Sequence, residues 1–295
     1  MEVRDKEIKR KKLLLVFNDE AGSRKFVSKK RTIIKYLRKI KYPFSVMDAD
    51  KLTADKDLSG FESVVAVGGD GTILKILPFI ANTSIKLGII PCGTANLFAA
   101  SLCIPFGIEK ALDIVLNGNS MKVDIGKAGN DYFALRIGVG FDADVVNNTK
   151  QHWKRRFGYF AYLIQGFINC FKLSNKSYKV TIDNKTFEVN ANSIIVANAG
   201  NMFRNLFSIS PSGSVTDGKL DVFILLAKNF PEFLGVLLRL FTGRINRSAN
   251  VIHGKARNIK IEKLSQFAHI DGEPYKTDNI EISVLPQALN VLVPN

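Results

Sequence analysis

The stretch from Ser63 to Thr72 reads Ser-Val-Val-Ala-Val-Gly-Gly-Asp-Gly-Thr, and it indicates more about the fold than any other part of this 295-residue chain. Its apolar start predicts a buried strand. The glycines that follow predict a loop whose backbone N–H groups can approach phosphate oxygens closely. Apolar residues after Thr72 predict a helix, whose N-terminus favours anions. The stretch therefore predicts a strand, an anion-binding loop and a helix in succession.

Asp70 is the unexpected residue of this loop, because a carboxylate repels phosphate unless a cation lies between them. A Mg²⁺ ion between Asp70 and a nucleotide, bound directly or through water, removes that conflict. The alternative is an ordinary glycine-rich turn between a strand and a helix, since short glycine motifs produce false positives.

A second segment repeats the pattern. The apolar run at 86–90 predicts another short strand, and it leads into Pro-Cys-Gly-Thr-Ala-Asn at 91–96. Loops at the carboxyl ends of neighbouring parallel strands meet in the crevice where α/β sheets bind ligands. The two loops together predict a nucleotide site.

The first 120 residues alternate predicted strands with predicted helices, which indicates a parallel sheet covered by helices on both faces. The turn residues at 117–119 predict a domain boundary. The predicted strands span 12–17, 44–47, 63–67 and 86–90, and the predicted helices span 25–40, 95–102, 108–116 and a segment that starts at Thr72.

The chain beyond this boundary is rich in strands. We therefore predict an α/β fold class: an N-terminal parallel-sheet nucleotide-binding domain plus a C-terminal, mainly antiparallel β-sandwich domain. The predicted strands span 121–127, 132–138, 178–182, 186–189, 193–197, 220–226, 259–261 and 280–284, and the predicted helices span 156–171 and 230–241.

Composition indicates a globular protein, because 46% of the residues are hydrophobic and 23% are charged. No apolar run reaches the roughly 18 residues of a membrane-spanning helix. The best candidate, 233–241, is short and contains Arg239, and the run at 13–17 is too short for a signal peptide. We expect a cytoplasmic protein. Its three cysteines and three histidines lack metal-ligand spacing, which predicts reduced thiols and no zinc site.

Five segments resemble, in order, the motifs of the diacylglycerol kinase catalytic family, and specifically of its soluble bacterial lipid kinase branch. The Gly-Gly-Asp-Gly-Thr loop followed by the Gly-Thr-Ala-Asn segment is the most specific match. NAD kinases share the first loop but lack the Pro-x-Gly-Thr-x-Asn pattern, so they are the alternative family. The segments are 18–22, 68–72, 91–96, 210–221 and 271–273, with Asp19 where the family has proline.

The resemblance implies that ATP and Mg²⁺ bind to the loops of the first domain. A phosphoryl transfer also needs a base for the accepting hydroxyl. By the resemblance, Glu273 is the proton acceptor, and Asp70 is the second candidate catalytic residue. On local sequence alone, Glu273 also fits an exposed acid beside a tight Asp-Gly turn. The residues implied to hold the nucleotide are Asn18, Gly22, Gly68, Gly69, Asp70, Gly71, Thr72, Gly93, Thr94 and Asn96.

The boundary predicted from the sequence pattern gives a first domain of residues 1–120 and a β-sandwich domain of residues 121–285. The resemblance further implies that residues 286–295 complete the first domain and that the second domain binds lipid. It places a second Mg²⁺, with a structural role, at Ser214, Asp217 and Lys219. Lys219 would contribute its backbone carbonyl, because a lysine side chain has no acceptor oxygen.

The net charge of +15 is the other strong feature of the chain. Residues 21–47 contain nine Lys or Arg and no acid, mostly on the polar face of the helix predicted over 25–40. A second cluster mixes cations with aromatics, a combination suited to anionic lipid headgroups. A merely solvated basic face is the alternative. The members of the second cluster are Lys150, Trp153, Lys154, Arg155, Arg156, Phe157, Tyr159, Phe160 and Tyr162.

The sequence thus predicts an ATP-dependent lipid kinase that converts diacylglycerol to phosphatidic acid at an anionic membrane surface. We expect a lipid substrate, peripheral membrane association and, since no nucleic-acid motif is present, no nucleic-acid partner; homodimerisation is left open. An NAD kinase-like enzyme is one alternative. A catalytically silent lipid-binding protein is the other, because Leu97 stands where the family usually has Asp.

Overall fold

The structure is a computed structural model, and it describes residues 12–18, 24–53, 55–141, 143, 175–198, 214–241, 248–263 and 268–295. The first part of the chain alternates strands with helices, as the apolar runs predict. A short 3₁₀ turn, Ala49–Lys51, follows the second strand. The strands are β1 (Leu13–Phe17), β2 (Phe44–Asp48), β3 (Ser63–Gly68) and β4 (Lys86–Pro91), and the helices are α1 (Arg24–Lys39), α2 (Asp70–Ile80), α3 (Leu97–Ser101) and α4 (Ile108–Asn117).

These four strands are parallel and lie side by side in the order β2-β1-β3-β4. Every residue of β1 and β3 is buried, as expected for strands with helices on both faces. Helix α1 buries Phe26, Ile33 and Leu37 in the same core. Its basic residues Arg31 and Arg38 lie on the exposed side, so the amphipathic pattern is confirmed.

The second part of the chain is mainly antiparallel. The helix predicted over 230–241 has those bounds in the structure. The helix predicted over 156–171 lies outside the described residues. The elements are β5 (Asn119–Ala128), β6 (Asp131–Phe133), β7 (Arg136–Gly140), β8 (Lys176–Ile182), β9 (Lys185–Ala191), β10 (Ser193–Ala197), β11 (Leu220–Leu225), α5 (Phe230–Phe241), β12 (Val251–Ala256), β13 (Asn258–Glu262), β14 (Ala268–Ile270), β15 (Glu273–Tyr275) and β16 (Ile280–Val293).

Strand β16 connects the two parts of the fold. Its first half pairs antiparallel with β13, and its last residues pair parallel with β4 at Asn290 and Val291. Along most of its length it also pairs antiparallel with β5, with a register shift between Leu285 and Leu289. One sheet therefore continues from the parallel strands, through β16, into β13, β8 and β9.

A second sheet, in the order β12-β11-β10-β7-β14-β15, faces the antiparallel part of the first. The two sheets share one core, which includes Tyr178 and Ile282 from the first sheet and Ile194 and Val222 from the second. This arrangement is a β-sandwich, and the predicted fold class is confirmed. The division at residue 120 stays a prediction.

Two strand predictions are wrong in their extent. Residues 132–138 form two strands, β6 and β7, because the backbone N–H groups between them bond to the carboxylate of Asp271 and not to a neighbouring strand. The strand predicted over 280–284 continues to Val293 across its register shift. The short strands β12, β14 and β15 were not predicted, since each has too few apolar residues to show a period. Among the described residues, no helix combines the length and apolarity needed to cross a bilayer.

Candidate active site

Two glycine loops form the floor of the candidate site. The loop after β3 and the loop after β4 touch backbone to backbone, so that a Cβ added at Gly93 would lie 2.5 Å from the Cα of Gly69. An added Cβ at Gly69 would lie 3.1 Å from the Cα of Gly93. Glycine is required at Gly93 because real Cβ atoms do not approach backbone this closely. The two predicted loops therefore meet as expected for neighbouring parallel strands.

Asn96 fixes the second loop. Its Oδ1 accepts a hydrogen bond from the backbone N of Gly93 at 2.9 Å, and its Nδ2 donates to the oxygen of Gly93 at 2.9 Å. Asn96 adopts the left-handed conformation with φ 50°, which asparagine tolerates better than most residues. Gly93 and Thr94 are exposed, so their backbone is open to a ligand.

Asp70 has a structural contact that the sequence analysis missed. Its Oδ2 accepts a hydrogen bond from the backbone N of Leu97, and its Oδ1 accepts one from Phe98, both at 3.0 Å. These are the first residues of α3, whose own N-cap residue, Asn96, makes no capping bond. Asp70 belongs to the loop after β3, yet it caps α3, which follows the loop after β4. These hydrogen bonds join the two glycine loops. Burial raises the pKa of Asp70, while the bonds from Phe98 and Leu97 oppose that rise.

Asp271 closes the turn between β14 and β15. It and Gly272 have φ values of 48° and 88°, as in the two-residue hairpin turns that favour Asp-Gly. The tight turn predicted here is confirmed. The carboxylate of Asp271 accepts hydrogen bonds from the backbone N of Ala134 at 2.7 Å, Leu135 at 3.0 Å and Arg136 at 2.8 Å. The hairpin is thereby fixed to the segment that joins β6 to β7.

Glu273, the first residue of β15, reaches the first glycine loop. Its Oε1 lies 3.9 Å from the position of a Cβ added at Gly71. The side chain is exposed, so its carboxylate is accessible to a substrate. The structure thus brings Glu273 to the same loop as Asp70, although about two hundred residues separate them in the sequence.

Three carboxylates therefore converge at this end of the sheet: Asp70, Asp271 and Glu273. Burial raises the pKa of Asp271 to about 6, and the charge of Asp70 adds to that rise although three backbone bonds oppose it. In the part of the chain that the structure describes, none of the three acids belongs to an ion pair. The carboxylates of Asp70 and Asp271 already accept backbone hydrogen bonds, and among the described residues no three His, Cys, Asp or Glu side chains form a metal-binding group. The Mg²⁺ ion expected near Asp70 therefore stays a prediction.

The pH dependence of stability tests this environment. In the folded protein the pKa of Asp271 is about 6, whereas an unfolded aspartate titrates near pH 3.9. The raised pKa of Asp271 contributes to the free energy of unfolding. That contribution is complete below the pKa of the unfolded state and is lost as the pH rises through the pKa of the folded state. In EDTA, we expect the wild type to lose about 2 kcal/mol relative to Asp271→Asn between about pH 4 and pH 7, which is most of the full difference that the two pKa values imply.

Urea unfolding of both proteins across this pH range measures the difference. The hydrogen bonds that the substitution changes contribute an offset that does not depend on pH. A difference that stays constant from pH 4 to pH 7 would contradict the raised pKa.

A basic group lies beside the second loop. Burial raises the pKa of the Cys92 thiol, and the charge of Lys29 on α1 acts in the opposite direction. Lys30, one residue further along α1, places its Nζ 4.7 Å from the ring centroid of Phe17 at the end of β1. Lys30 thus lies at the carboxyl end of β1, the strand beside β3.

The remaining predicted nucleotide residues have different environments. Asn18 follows β1 and is half-buried, while Gly22 lies outside the described residues. Thr72 is buried, and a Cβ added at Gly68 would lie 2.1 Å from its Oγ1. Thr72 therefore packs beneath the loop, with its side chain directed away from solvent.

The predicted second Mg²⁺ site is occupied by side-chain contacts that do not suit a metal. Asp217 Oδ2 accepts a hydrogen bond from Lys255 Nζ at 2.5 Å, and Asp217 Oδ1 accepts one from the backbone N of Lys219 at 3.1 Å. Ser214 Oγ lies 2.9 Å from Thr216 Oγ1. The residues as arranged do not fit a second divalent ion.

Asp124 is a further residue that the sequence analysis missed. It is fully buried; its Oδ2 accepts a hydrogen bond from the backbone N of Gly218 at 2.7 Å and its Oδ1 accepts one from Gln287 at 2.8 Å. Asn198 Nδ2 donates to the backbone oxygens of Asp124 and Ala134. The signal for Asp124 was a single acid inside the apolar strand predicted over 121–127.

Two family models match most of the chain. The model described as the diacylglycerol kinase catalytic domain matches residues 12–128. The model described as the YegS C-terminal NAD kinase beta sandwich-like domain matches residues 136–293.

Individual proteins match over similar lengths. A diacylglycerol kinase of Staphylococcus aureus is 29% identical over 273 residues, which cover 90% of this chain and 86% of that relative. A protein of Synechocystis sp. is 31% identical over 243 residues, which cover 81% of this chain but only 56% of that relative. A solved structure of a diacylglycerol kinase from Bacillus anthracis has a TM-score of 0.73 at 22% identity and covers 97% of this chain and 98% of that chain.

Proposed function

The chain belongs to a lipid kinase family whose members join a diacylglycerol kinase catalytic domain to a YegS C-terminal domain. We therefore propose that it transfers a phosphoryl group from ATP to a lipid hydroxyl. Diacylglycerol is the leading substrate, and phosphatidic acid is the product. The observation that carries this proposal is the position of Glu273 Oε1 beside Gly71, at the loop that also contains Asp70.

Each part of the site has a role in this reaction. The exposed backbone of Gly93 and Thr94 and the N-terminus of α2 hold the phosphates. Mg²⁺ bound near Asp70 would neutralise phosphate charge. Glu273 accepts the proton of the lipid hydroxyl while the hydroxyl oxygen forms a bond to the γ-phosphorus of ATP. The bond from that phosphorus to the bridging oxygen breaks, and ADP leaves.

An assay with labelled ATP, Mg²⁺ and a substrate panel tests the proposal. The panel contains diacylglycerol, monoacylglycerol, sphingosine, ceramide, phosphatidylglycerol and NAD. We expect label in a lipid, with diacylglycerol preferred. The alternative is an NAD kinase-like enzyme, and its support is that the description of the second family model names NAD kinase. That alternative requires label in NAD alone, and this result would contradict the lipid proposal.

Leu97 distinguishes an active enzyme from a silent lipid-binding protein. Its backbone N donates to Asp70, and its side chain packs against the core of the parallel sheet, so this leucine has a structural place that needs no carboxylate. We expect the natural protein to be active. We expect Leu97→Asp to change the rate or the lipid preference, because it adds a charge next to Asp70.

The same panel assay, run on both proteins, measures this effect. If only the Leu97→Asp variant transfers label, the natural protein is the silent binder. Transfer by the natural protein excludes that alternative.

We also propose that the protein works in the cytoplasm, at an anionic membrane surface. The exposed basic side of α1 supports this proposal. The second cluster, at 150–162, lies outside the described residues. Each Lys or Arg near such a surface contributes about 1 kcal/mol.

Reversing the charge of Lys154, Arg155 and Arg156 to Glu should therefore weaken binding to anionic vesicles. Activity on a short-chain soluble lipid should be retained. Binding of the wild type should fall as salt rises, because the Debye length is about 10 Å at 0.1 M and shortens with added salt. Vesicle sedimentation measures both effects. Equal binding to neutral and anionic vesicles at every salt concentration would rule out this surface.

A further inference from the structure

Lys255 contacts the turn where the family resemblance places a second Mg²⁺. Strand β12 carries Lys255 opposite Asp221 of β11, and its Nζ donates to Asp217 Oδ2 at 2.5 Å. The side chains of Lys255 and Asp217 are 25% and 28% exposed, so the contact lies at the surface with part of each side chain in water. The ammonium thus lies at the carboxylate that a metal would need.

Two other oxygens of this turn, Asp217 Oδ1 and Ser214 Oγ, accept hydrogen bonds from protein donors. Asp217 Oδ1 accepts a hydrogen bond from the backbone N of Lys219 at 3.1 Å. Ser214 Oγ accepts one from the backbone N of Thr216 at 3.3 Å, and it lies 2.9 Å from Thr216 Oγ1. A divalent ion would have to displace these donors before it could bind Ser214 and Asp217.

Two neighbouring acids complete the arrangement. Asp124 Oδ2 accepts a hydrogen bond from the backbone N of Gly218 at 2.7 Å, which fixes the turn from its other side. Asp221 Oδ1 lies 2.8 Å from His253 Nε2, and the ring of His253 stacks on Phe223 with centroids 4.5 Å apart. These contacts hold β11 and β12 in the register that directs Lys255 at Asp217.

We propose that the Lys255 ammonium replaces the divalent cation at this turn, so that an internal charge, and not a bound metal, orders residues 214–219. An ammonium supplies three hydrogen-bond donors and one positive charge. Mg²⁺ requires oxygen ligands at about 2.1 Å in a near-octahedral arrangement, and it would be repelled by a cation already in contact with Asp217. The two cations therefore exclude each other.

The experiment measures cation binding and stability without nucleotide, so its result does not depend on the kinase assignment. Thermal unfolding is followed in EDTA and in Mg²⁺ or Ca²⁺, and calorimetric titration gives the affinity for Ca²⁺. The proteins are the wild type, Lys255→Met, Lys255→Arg, Asp217→Asn and the double variant Lys255→Met with Asp217→Asn. Methionine keeps the length of the side chain and removes its charge, and arginine keeps the charge.

We expect the unfolding temperature of Lys255→Met to be lowered in EDTA and restored by Ca²⁺. This variant should bind Ca²⁺ about tenfold or more tightly than the wild type, because an uncompensated carboxylate favours this oxygen-seeking ion. The double variant should lose the response, and Lys255→Arg should behave as the wild type. Since ligand that binds only the folded state raises stability, the unfolding temperature reports binding directly.

Two results would overturn the proposal. The first is a wild-type response to Mg²⁺ or Ca²⁺ that Asp217→Asn alone abolishes, which means that the metal binds despite Lys255. The second is a folded Lys255→Met variant that gains no response to either cation. If Lys255→Met does not fold in EDTA, we measure whether it refolds when Ca²⁺ is added. Recovery of the folded state supports the proposal, and failure to recover contradicts it.

Discussion

Glu273→Gln should lower phosphoryl transfer by about 10²- to 10⁴-fold, the range that a general base commonly contributes. Glutamine keeps the size and polarity of the side chain, but it cannot accept the proton of a lipid hydroxyl. Because Glu273 is exposed, we expect unfolding free energy to change by no more than about 0.5 kcal/mol. Nucleotide affinity should also be retained, because the glycine loops are unchanged. Steady-state kinetics, nucleotide titration and urea unfolding give the three values.

Glu281→Gln is the matched control. Glu281 is likewise an exposed glutamate on a strand, and its carboxylate pairs with Lys260 on the neighbouring strand β13. We expect this variant to keep its activity. Full activity of Glu273→Gln would reject Glu273 as the base. Asp70→Asn is a less specific probe, because Asp70 also caps α3, and loss of one accepting oxygen would disturb the loops together with any Mg²⁺.

Gly93→Ala should have the second large effect. The new Cβ would lie 2.5 Å from the Cα and 3.0 Å from the N of Gly69, and neither backbone atom can rotate away. The two loops must separate, at a cost of about 1–3 kcal/mol in stability. Loss of the loop geometry should also weaken nucleotide binding by about tenfold or more, since a tenfold change corresponds to about 1.4 kcal/mol. Urea unfolding and nucleotide titration measure the two effects.

Gly107→Ala is the control for this substitution. Gly107 has an ordinary φ of −75°, and a Cβ added there meets no atom within 4 Å. We expect it to change stability by less than about 0.5 kcal/mol and to leave nucleotide binding intact. Wild-type nucleotide affinity in Gly93→Ala would mean that the contact between the loops is not needed for binding.

Local patterns predicted most of this fold because they act over a few residues. The apolar run of β3 and the glycines after it specify a strand and a loop wherever they occur. The same reasoning could not show that Asp70 caps α3, because its partners Leu97 and Phe98 lie in another loop. Nor could it show that Asp271 interrupts the strand predicted over 132–138. A side chain that bonds across 27 residues, as Asp70 does, or across 137, as Asp271 does, leaves no periodic signal at either end.

In the candidate site, too, local sequence predicts some features, and others depend on how distant elements pack. The glycine loops follow from local sequence, whereas the position of Glu273 beside Gly71 depends on how the hairpin of β14 and β15 packs. The contact of Lys255 with Asp217 likewise depends on the register of β11 and β12. The resemblance identified Asp217 as a ligand, but nothing in a single sequence indicates which distant lysine reaches it.

Strand β16 makes the two halves of this protein mechanically dependent on each other. A cleft between two domains usually closes by a hinge in a flexible connection, but here one backbone is hydrogen-bonded to both halves. The register shift near Gln287 is fixed by the hydrogen bond that its backbone N donates to the buried Asp124. The nucleotide half expressed alone would lack the strand beside β4, leaving an open sheet edge that invites aggregation.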